Sequence, residues 1–328
     1  VDDNQDLLRC IVASAGNDLR LGASEAPPAI MSIYVGDELQ AILESIKSGK
    51  AYIGGKKTKM NIGVDVLPPI PKDSTDRNRT SPFAFTGNRF EFRSVGSNLS
   101  ISGPNTILNA ILADSLRAYA DELEKSKNFD SDLKKLIKRE ITSHWNILFN
   151  GNGYDIAWVE EAEKRGLKNY RTLPDAMEHY LDKKNIDLLK RMGIYTETEM
   201  QSHYEIKLEK YCQILNIEVE TMIQMVHKDI LPAAFRYMNV IADTEFKMQR
   251  IFSLCKAGIN LLEKLNNLVN ELSNRATNLA EKHQSVKKSS NLMEKAKAYA
   301  NIILPAMDEL RETADLLEPL LGQEYKPF

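Results

Sequence analysis

The sequence predicts an α+β chain that is mostly α, with a few short antiparallel strands in its first hundred residues and long antiparallel helices after them. Three observations predict this. Arg89-Phe90-Glu91-Phe92-Arg93 alternates charged and aromatic residues with the period of two that a strand imposes. Gly87-Asn88 in front of it is a hairpin turn signal that joins it to a second strand, Phe83–Thr86. From Pro104 onward the chain reads as almost all helix, and from Leu208 apolar residues recur at alternating steps of three and four, the seam of packed helices.

Taken in order, residues 5–15 are apolar enough for a buried helix, closed by Gly16-Asn17. Residues 16–35 form a loop from which Pro27-Pro28 excludes helix. Gly36-Asp37 opens a helix that runs through Lys47 and stops at Gly49. Residues 50–82 are polar and broken by Gly54-Gly55 and several prolines. On strand 89–93, Phe90 and Phe92 anchor one face in a core, and Arg89, Glu91 and Arg93 share the other.

Pro104 suits the first position of a helix capped by Gly103. Helices follow at 104–125, 130–149, 155–165, 173–183 and 185–192, the second and third parted by a turn at Asn150-Gly151-Asn152-Gly153. Thr196 or Thr198 caps a long helix with a seam at Leu208, Tyr211, Leu215, Val219, Met222 and Val226, ended or kinked by Pro232. Leu261, Leu265, Leu268, Leu272 and Leu279 repeat the seam within Phe246–Ala280. Ile303, Met307, Leu310, Ala314, Leu317 and Leu321 repeat it again, with Glu281–Ser290 as the connection. Antiparallel packing of three or four such helices buries every seam.

Composition narrows the function classes. A net charge of −3 leaves no basic footprint for nucleic acid. No apolar run reaches the roughly 18 residues a membrane helix needs, and no signal-peptide pattern is visible. Cys10, Cys212 and Cys255 lie far apart and form no metal or redox motif, consistent with a reduced, cytoplasmic chain. Glu199 and His203 sit one helical turn apart without a second matching pair, which reads as a solvated contact. Met222 and Met225 read as core. Asn150–Gly153 lacks the Lys-Ser/Thr of a phosphate-binding loop.

The charged face of strand 89–93 places one carboxylate between two guanidinium forks. Carboxylate oxygens bind hard divalent cations, and arginine grips phosphate or carboxylate bidentately. By itself the pentapeptide reads as a surface Arg–Glu–Arg ladder. What precedes it is more specific. Arg20-Leu21-Gly22-Ala23-Ser24-Glu25-Ala26-Pro27-Pro28 is followed by Asn78-Arg79-Thr80-Ser81 and then by Arg89–Arg93. In this order the segments resemble glutamine synthetase, in which an R-L-x(n)-E-A-P flap precedes N-R-[ST] and then an R-x-E-x-R strand. The wording most resembles the large bacterial type III branch. Pro104–Leu108 resembles the start of the helix that follows that strand. Residues 172–211 are similar to the C-terminal segment of ordinary glutamine synthetases, and residues beyond 212 resemble only the type III extension.

The resemblance implies three domains or parts: 1–103 as the end of the catalytic domain, 104–211 as the helical end of the synthetase core, and 212–328 as a helical extension. It implies ATP-driven amide formation with Mg²⁺ or Mn²⁺, using glutamate and ammonia. Glu91 would ligate the metal and Arg89 would contact phosphate. Arg93 and Arg20 would hold substrate, Arg79 would stabilise the transferring phosphoryl group, and Glu25 on the flap would close the site and deprotonate ammonium. It also implies a large homo-oligomer of stacked rings for the intact protein.

Because the chain begins at Val1 and its first histidine is His144, the upstream ligands of the family are expected to lie outside it. It is then a C-terminal portion, inactive alone. Arg20 and Glu25 are five steps apart where the family has six. Ala84 stands where many members have an ATP-contacting arginine, for which Arg77 or Lys56 would substitute. The connection 50–82 is longer than usual and reads as an insertion. Two alternatives stay open: a related γ-glutamyl amine ligase, and a non-catalytic helical assembly module.

Overall fold

The structure, a computed structural model, describes residues 1–23, 26–52, 80–251 and 255–327, and the backbone of two short strands at 59–60 and 70–71. The chain is 71% helical, and mostly α as expected. It divides into two compact units, Val1–Tyr204 and Glu205–Phe328.

The first unit begins with α1 (Gln5–Val12) and α2 (Ala15–Arg20). Gly16-Asn17 does not close the first helix. The chain turns at Ala13, the Ser14 side chain accepts from Asn17 N, and a second helix starts there. Side-chain capping thus overrides the glycine signal. After β1 (Ile33–Tyr34) comes α3 (Asp37–Ser48), bracketed by Gly36 and Gly49, both at positive φ, as the sequence predicts. β2 (Lys59–Met60) pairs antiparallel with β3 (Ile70–Pro71); the rest of the long connection, including Lys56 and Arg77, lies outside the described residues.

β4 (Phe83–Phe85) and β5 (Phe90–Phe92) form the expected hairpin, with Thr86 N donating to Arg89 O and Gly87 at φ 97°. β1 adds to it in parallel, giving the order β1-β4-β5. The aromatic face of β5 is not anchored in a core. Phe90 is 52% exposed, and Phe83, Phe85, Phe90 and Phe92 pack chiefly on one another. β5 is an edge strand, so one side of its aromatic row is left open.

Helices α4 (Ser102–Leu123), α5 (Phe129–Ser143), α6 (Ile156–Lys164), α7 (Leu173–Met177) and α8 (Lys183–Arg191) complete this unit. α4 starts two residues before Pro104, so Gly103 lies inside it and is not its cap. α5 stops at Ser143, and a 3-10 turn over Trp145–Ile147 leads to the loop at 150–153. α9 (Glu197–Met225) opens on Thr196: Thr196 N donates to Glu199 and Glu199 N to the Thr196 hydroxyl, a reciprocal cap. Glu199 is therefore a capping residue, while His203 meets the ring of Tyr195 edge-on.

The second unit holds the later part of α9, then α10 (Leu231–Met248), α11 (Lys256–Lys287), α12 (Leu292–Ala298) and α13 (Leu304–Leu317). α11 packs against both α10 and α13. Its buried stripe is Leu265, Val269, Leu272, Ala276, Leu279, His283 and Val286, a three–four alternation running past Ala280 to Lys287. The expected connection at Glu281–Ser290 is thus mostly helix. The buried stripe of α13 continues Ile303 through Ala306, Leu310, Thr313 and Leu317, which leaves Met307 and Ala314 beside it. Pro232 neither ends the helical path nor stands alone. Both Pro232 and Pro305 follow a π turn, over Val226–Ile230 and Tyr299–Ile303. Proline lacks the N–H and crowds the carbonyl four residues back; the wider turn removes that conflict.

A histidine is among the polar groups buried in this core. His283 is 2% exposed, with Nε2 at 3.1 Å from Asn216 Oδ1 and 3.3 Å from the Tyr299 hydroxyl. Burial first, and then the nearby Lys287, lowers its pKa. The folded state therefore favours the neutral ring, and the unfolded state binds the extra proton. The stability this contributes is complete above about pH 6.5 and is lost as pH falls below it toward the folded value. Thermal midpoints should fall as pH is lowered from 7.5 to 5.5, and His283→Gln should flatten that slope.

Candidate functional site

β5 holds Glu91 between two arginines. Glu91 Oε1 accepts from Arg89 Nη2 at 3.1 Å, and Oε2 accepts from Arg93 Nη2 at 3.0 Å. The charged face of the strand is thus assembled as the two-residue period predicts. The hydrogen bond from Arg93 chiefly, opposed by partial burial and reinforced by Arg89, holds the Glu91 carboxyl below its usual range. The arginines differ in exposure: the Arg89 side chain is 71% exposed and that of Arg93 only 15%. An incoming anion meets Arg89 first. Ala84 lies opposite Glu91 in the ladder and is fully buried, so no third guanidinium competes there for the carboxylate.

Arg20 reaches the same place from α2. Its Nη2 donates to the Arg93 carbonyl at 3.1 Å and its Nη1 to Asn17 Oδ1 at 3.2 Å. Asn17, 1% exposed, also donates to Val12 O at 2.6 Å and Ser94 O at 2.9 Å. One amide thus ties the end of α1, the side chain of Arg20 and the residue after Arg93 together. In the sequence Asn17 is marked only as part of a helix stop with Gly16, not for this role.

The ends of the flap segment are pinched: Leu21 and Ala26 form a bridge, and Gly22 N donates to the carbonyls of Ala26 and Pro27. Glu25 between them, and Arg79 on the next segment, lie outside the described residues. Thr80, directly after Arg79, is described, and Gly153 N donates to its carbonyl at 3.0 Å. A Cβ on Gly153 would stand 2.1 Å from that oxygen and 3.2 Å from Cβ of Pro27. The loop 150–153 is therefore wedged against both the flap segment and the segment after Arg79. Asn150 steadies it, with Oδ1 accepting from Val35 N and Gly36 N and Nδ2 donating to Gln40. The sequence predicts only a turn at this loop; its two glycines are the signal of the close approach.

A buried ion pair anchors α2 from behind. Arg9, fully buried, donates to the carbonyls of Tyr170 and Arg171 and to Asp18 Oδ1 at 3.2 Å, while Asp18 Oδ2 accepts from Leu173 N at 2.8 Å.

For a divalent cation, the strand offers one ionised, partly exposed carboxylate. That is one suitable oxygen donor group, with both oxygens engaged by arginine. Among the described residues no group of three or more His, Cys, Asp or Glu is gathered for a metal. They offer one carboxylate and do not by themselves gather a metal site.

Comparison with known proteins defines the class. The family model of the glutamine synthetase C-terminal domain matches residues 132–249. Across its whole length the chain is 39% identical to a glutamine synthetase of Butyrivibrio fibrisolvens, covering 47% of that protein. It is 37% identical to the type-3 glutamine synthetase of Dictyostelium discoideum, covering 46% of it, again along the whole chain. A glutamine synthetase of Bacteroides fragilis is 36% identical over all of the chain and 47% of its own length. The chain belongs to the glutamine synthetase family. It spans about half the length of the curated relatives it matches.

Proposed function

We propose that the protein carrying this chain is a glutamate–ammonia ligase, making glutamine from glutamate, ammonia and ATP through γ-glutamyl phosphate. The observation that carries this reading is the Arg89–Glu91–Arg93 ladder joined to Arg20 through the Arg93 carbonyl, in a chain whose whole length matches about half of a glutamine synthetase. Glutamate's γ-carboxylate attacks the γ-phosphate of ATP, and ammonia then displaces phosphate from the acyl phosphate.

Each residue has a role in this reading. Arg89, the more exposed fork, takes nucleotide phosphate. Arg93 and Arg20 hold the glutamate, and their link through one carbonyl keeps them in register. Arg79 meets the charge that builds on the transferring group. Glu25 closes the site and takes the proton of ammonium. Glu91 is the described residue assigned to Mg²⁺ or Mn²⁺, whose charge offsets that of the phosphates; the remaining ligands come from outside the described residues. Residues 1–328 alone are then expected to be inactive.

The same reading takes 1–103 as catalytic-domain sequence, 104–211 as the helical end of the core and 212–328 as the type III extension. It places the protein in the cytoplasm as a large homo-oligomer, without nucleic-acid or membrane partners. No described helix is long and apolar enough to cross a membrane.

ADP release by the full-length gene product tests this, with and without glutamate and ammonium. Release that needs both, and falls by about 10²–10³-fold in Glu91→Ala, is the expected result. Glu91 is partly exposed at a strand edge, so the circular dichroism of the variant should match the parent. Release that needs a larger amine in place of ammonium would move the assignment to a γ-glutamyl amine ligase. No substrate-dependent release would leave a helical assembly module.

A further inference from the structure

The second unit contains a cavity of ≈ 530 Å³ between the end of α9, the π turn at Val226–Ile230 and α13. That volume falls in the range of small-molecule sites. Its wall is predominantly apolar: Ile217, Met222, Met225, Met307 and Leu310 contribute. Three of these, Met222, Met307 and Leu310, were expected in the packed seams. The seam of α13 instead runs through Ala306 and Leu310, turning Met307 toward the cavity. Methionine walls adapt to varied apolar shapes. The π turn places Val226 and Ile230 on the same wall, and such turns recur at functional positions.

The charges on the wall are unbalanced. Glu218, Asp315 and Glu318 are acidic and Arg311 is basic. Arg311 pairs with Asp315 and Lys326 pairs with Glu318. Glu218 has neither a hydrogen bond nor an ion pair among the described residues, and desolvation pushes its carboxyl up from the ordinary range. A partly desolvated carboxylate beside an apolar surface gains most from a cation that brings its own apolar body.

We propose that this cavity binds a small amphipathic amine, with its apolar body against Met222, Met225, Met307 and Leu310 and its ammonium on Glu218. A neutral molecule of the same shape keeps the apolar contacts and lacks the charge-assisted bond. An anionic one meets Glu218 with like charge.

Calorimetric titration of the whole 328-residue chain with n-octylamine, n-octanol and n-octanoate tests the assignment, beside Glu218→Gln and Ala314→Trp. The expected result is one saturable site for octylamine, at least about tenfold tighter than for octanol, with octanoate weakest. Glu218→Gln should bring octylamine down to the octanol level, and Ala314→Trp should block all three by filling the cavity. Absence of a saturable site for octylamine, equal affinity for amine and alcohol, or an unchanged amine preference in Glu218→Gln would each overturn the proposal. The comparison of the three ligands on the unmodified chain decides it even if a variant fails to fold. None of these readouts involves ligase activity, so the result stands apart from the functional reading above.

Discussion

Asp18→Ala is expected to destabilise the first unit by about 3–5 kcal/mol, the cost of leaving a buried charge without its partner. Arg9 is fully buried, and Asp18 is its counter-ion. The carbonyls of Tyr170 and Arg171 satisfy hydrogens of the guanidinium but carry no charge to balance it. The same substitution also strips Leu173 N of its acceptor at the start of α7. Chemical denaturation of both proteins measures the loss. A second comparison separates a charge effect from simple damage. Arg9→Met with Asp18→Leu removes both charges and should recover much of the stability, because a buried pair replaced by apolar groups is often neutral. If the double variant is no more stable than Asp18→Ala, the pair is not the cause.

The functional consequence follows from position. Asp18 and Arg20 share the short helix α2, and Arg20 reaches the Arg93 carbonyl from it. Loosening α2 releases the arginine assigned to substrate. In the full-length enzyme, the KM for glutamate should rise in Asp18→Ala before the turnover falls.

Gly153→Ala is the second large effect, and it acts at the site without removing a functional group. The added Cβ would lie 2.1 Å from the carbonyl oxygen of Thr80, well inside van der Waals contact, and 3.2 Å from Pro27. Both neighbours are backbone or ring atoms that cannot swing away. A shift of the order of 1 Å must pass into the segment after Arg79 or into the flap. Displacements of that size in a positioning element cost about 10²-fold in rate. Overpacking of this kind costs about 1–3 kcal/mol in stability. The expected pattern is therefore a protein that folds, with a modestly lower unfolding midpoint and a far lower rate of ADP release. Gly166→Ala is the control. Gly166, unlike Gly153, has positive φ, but a Cβ there meets nothing within 4 Å, so its cost should be confined to stability. Equal activity losses in the two variants would show that the wedge on Thr80 is not what matters.

Much of this molecule was legible in the sequence where the deciding physics is local. The alternation in 89–93 placed Arg89, Glu91 and Arg93 on one face, since strand geometry leaves no other arrangement. Gly87-Asn88 marked the hairpin, and Gly36 and Gly49 marked both ends of α3, since left-handed backbone selects for glycine. The three–four seams identified the helical second unit. The family itself was legible because three short motifs of different chemistry stood in one order.

Tertiary contacts decided the rest. Gly16-Asn17 looked like a helix stop, but Ser14 recruited Asn17 N and the carbonyls of Val12 and distant Ser94 recruited its amide, so the helix restarted there. Phe90 looked like core, but the strand lies at a sheet edge. Met307 looked like a seam residue, but its helix is turned so that Ala306 takes the seam and Met307 faces the cavity. In each case local pattern determined which element forms and which residues share a face. Which face is covered, and by what, depended on groups 77 positions away in sequence for Asn17 and Ser94, and 73 away for Gly153 and Thr80. No local signal carries such a pairing, because chain entropy makes distant contacts a property of the whole packed unit and not of any one segment.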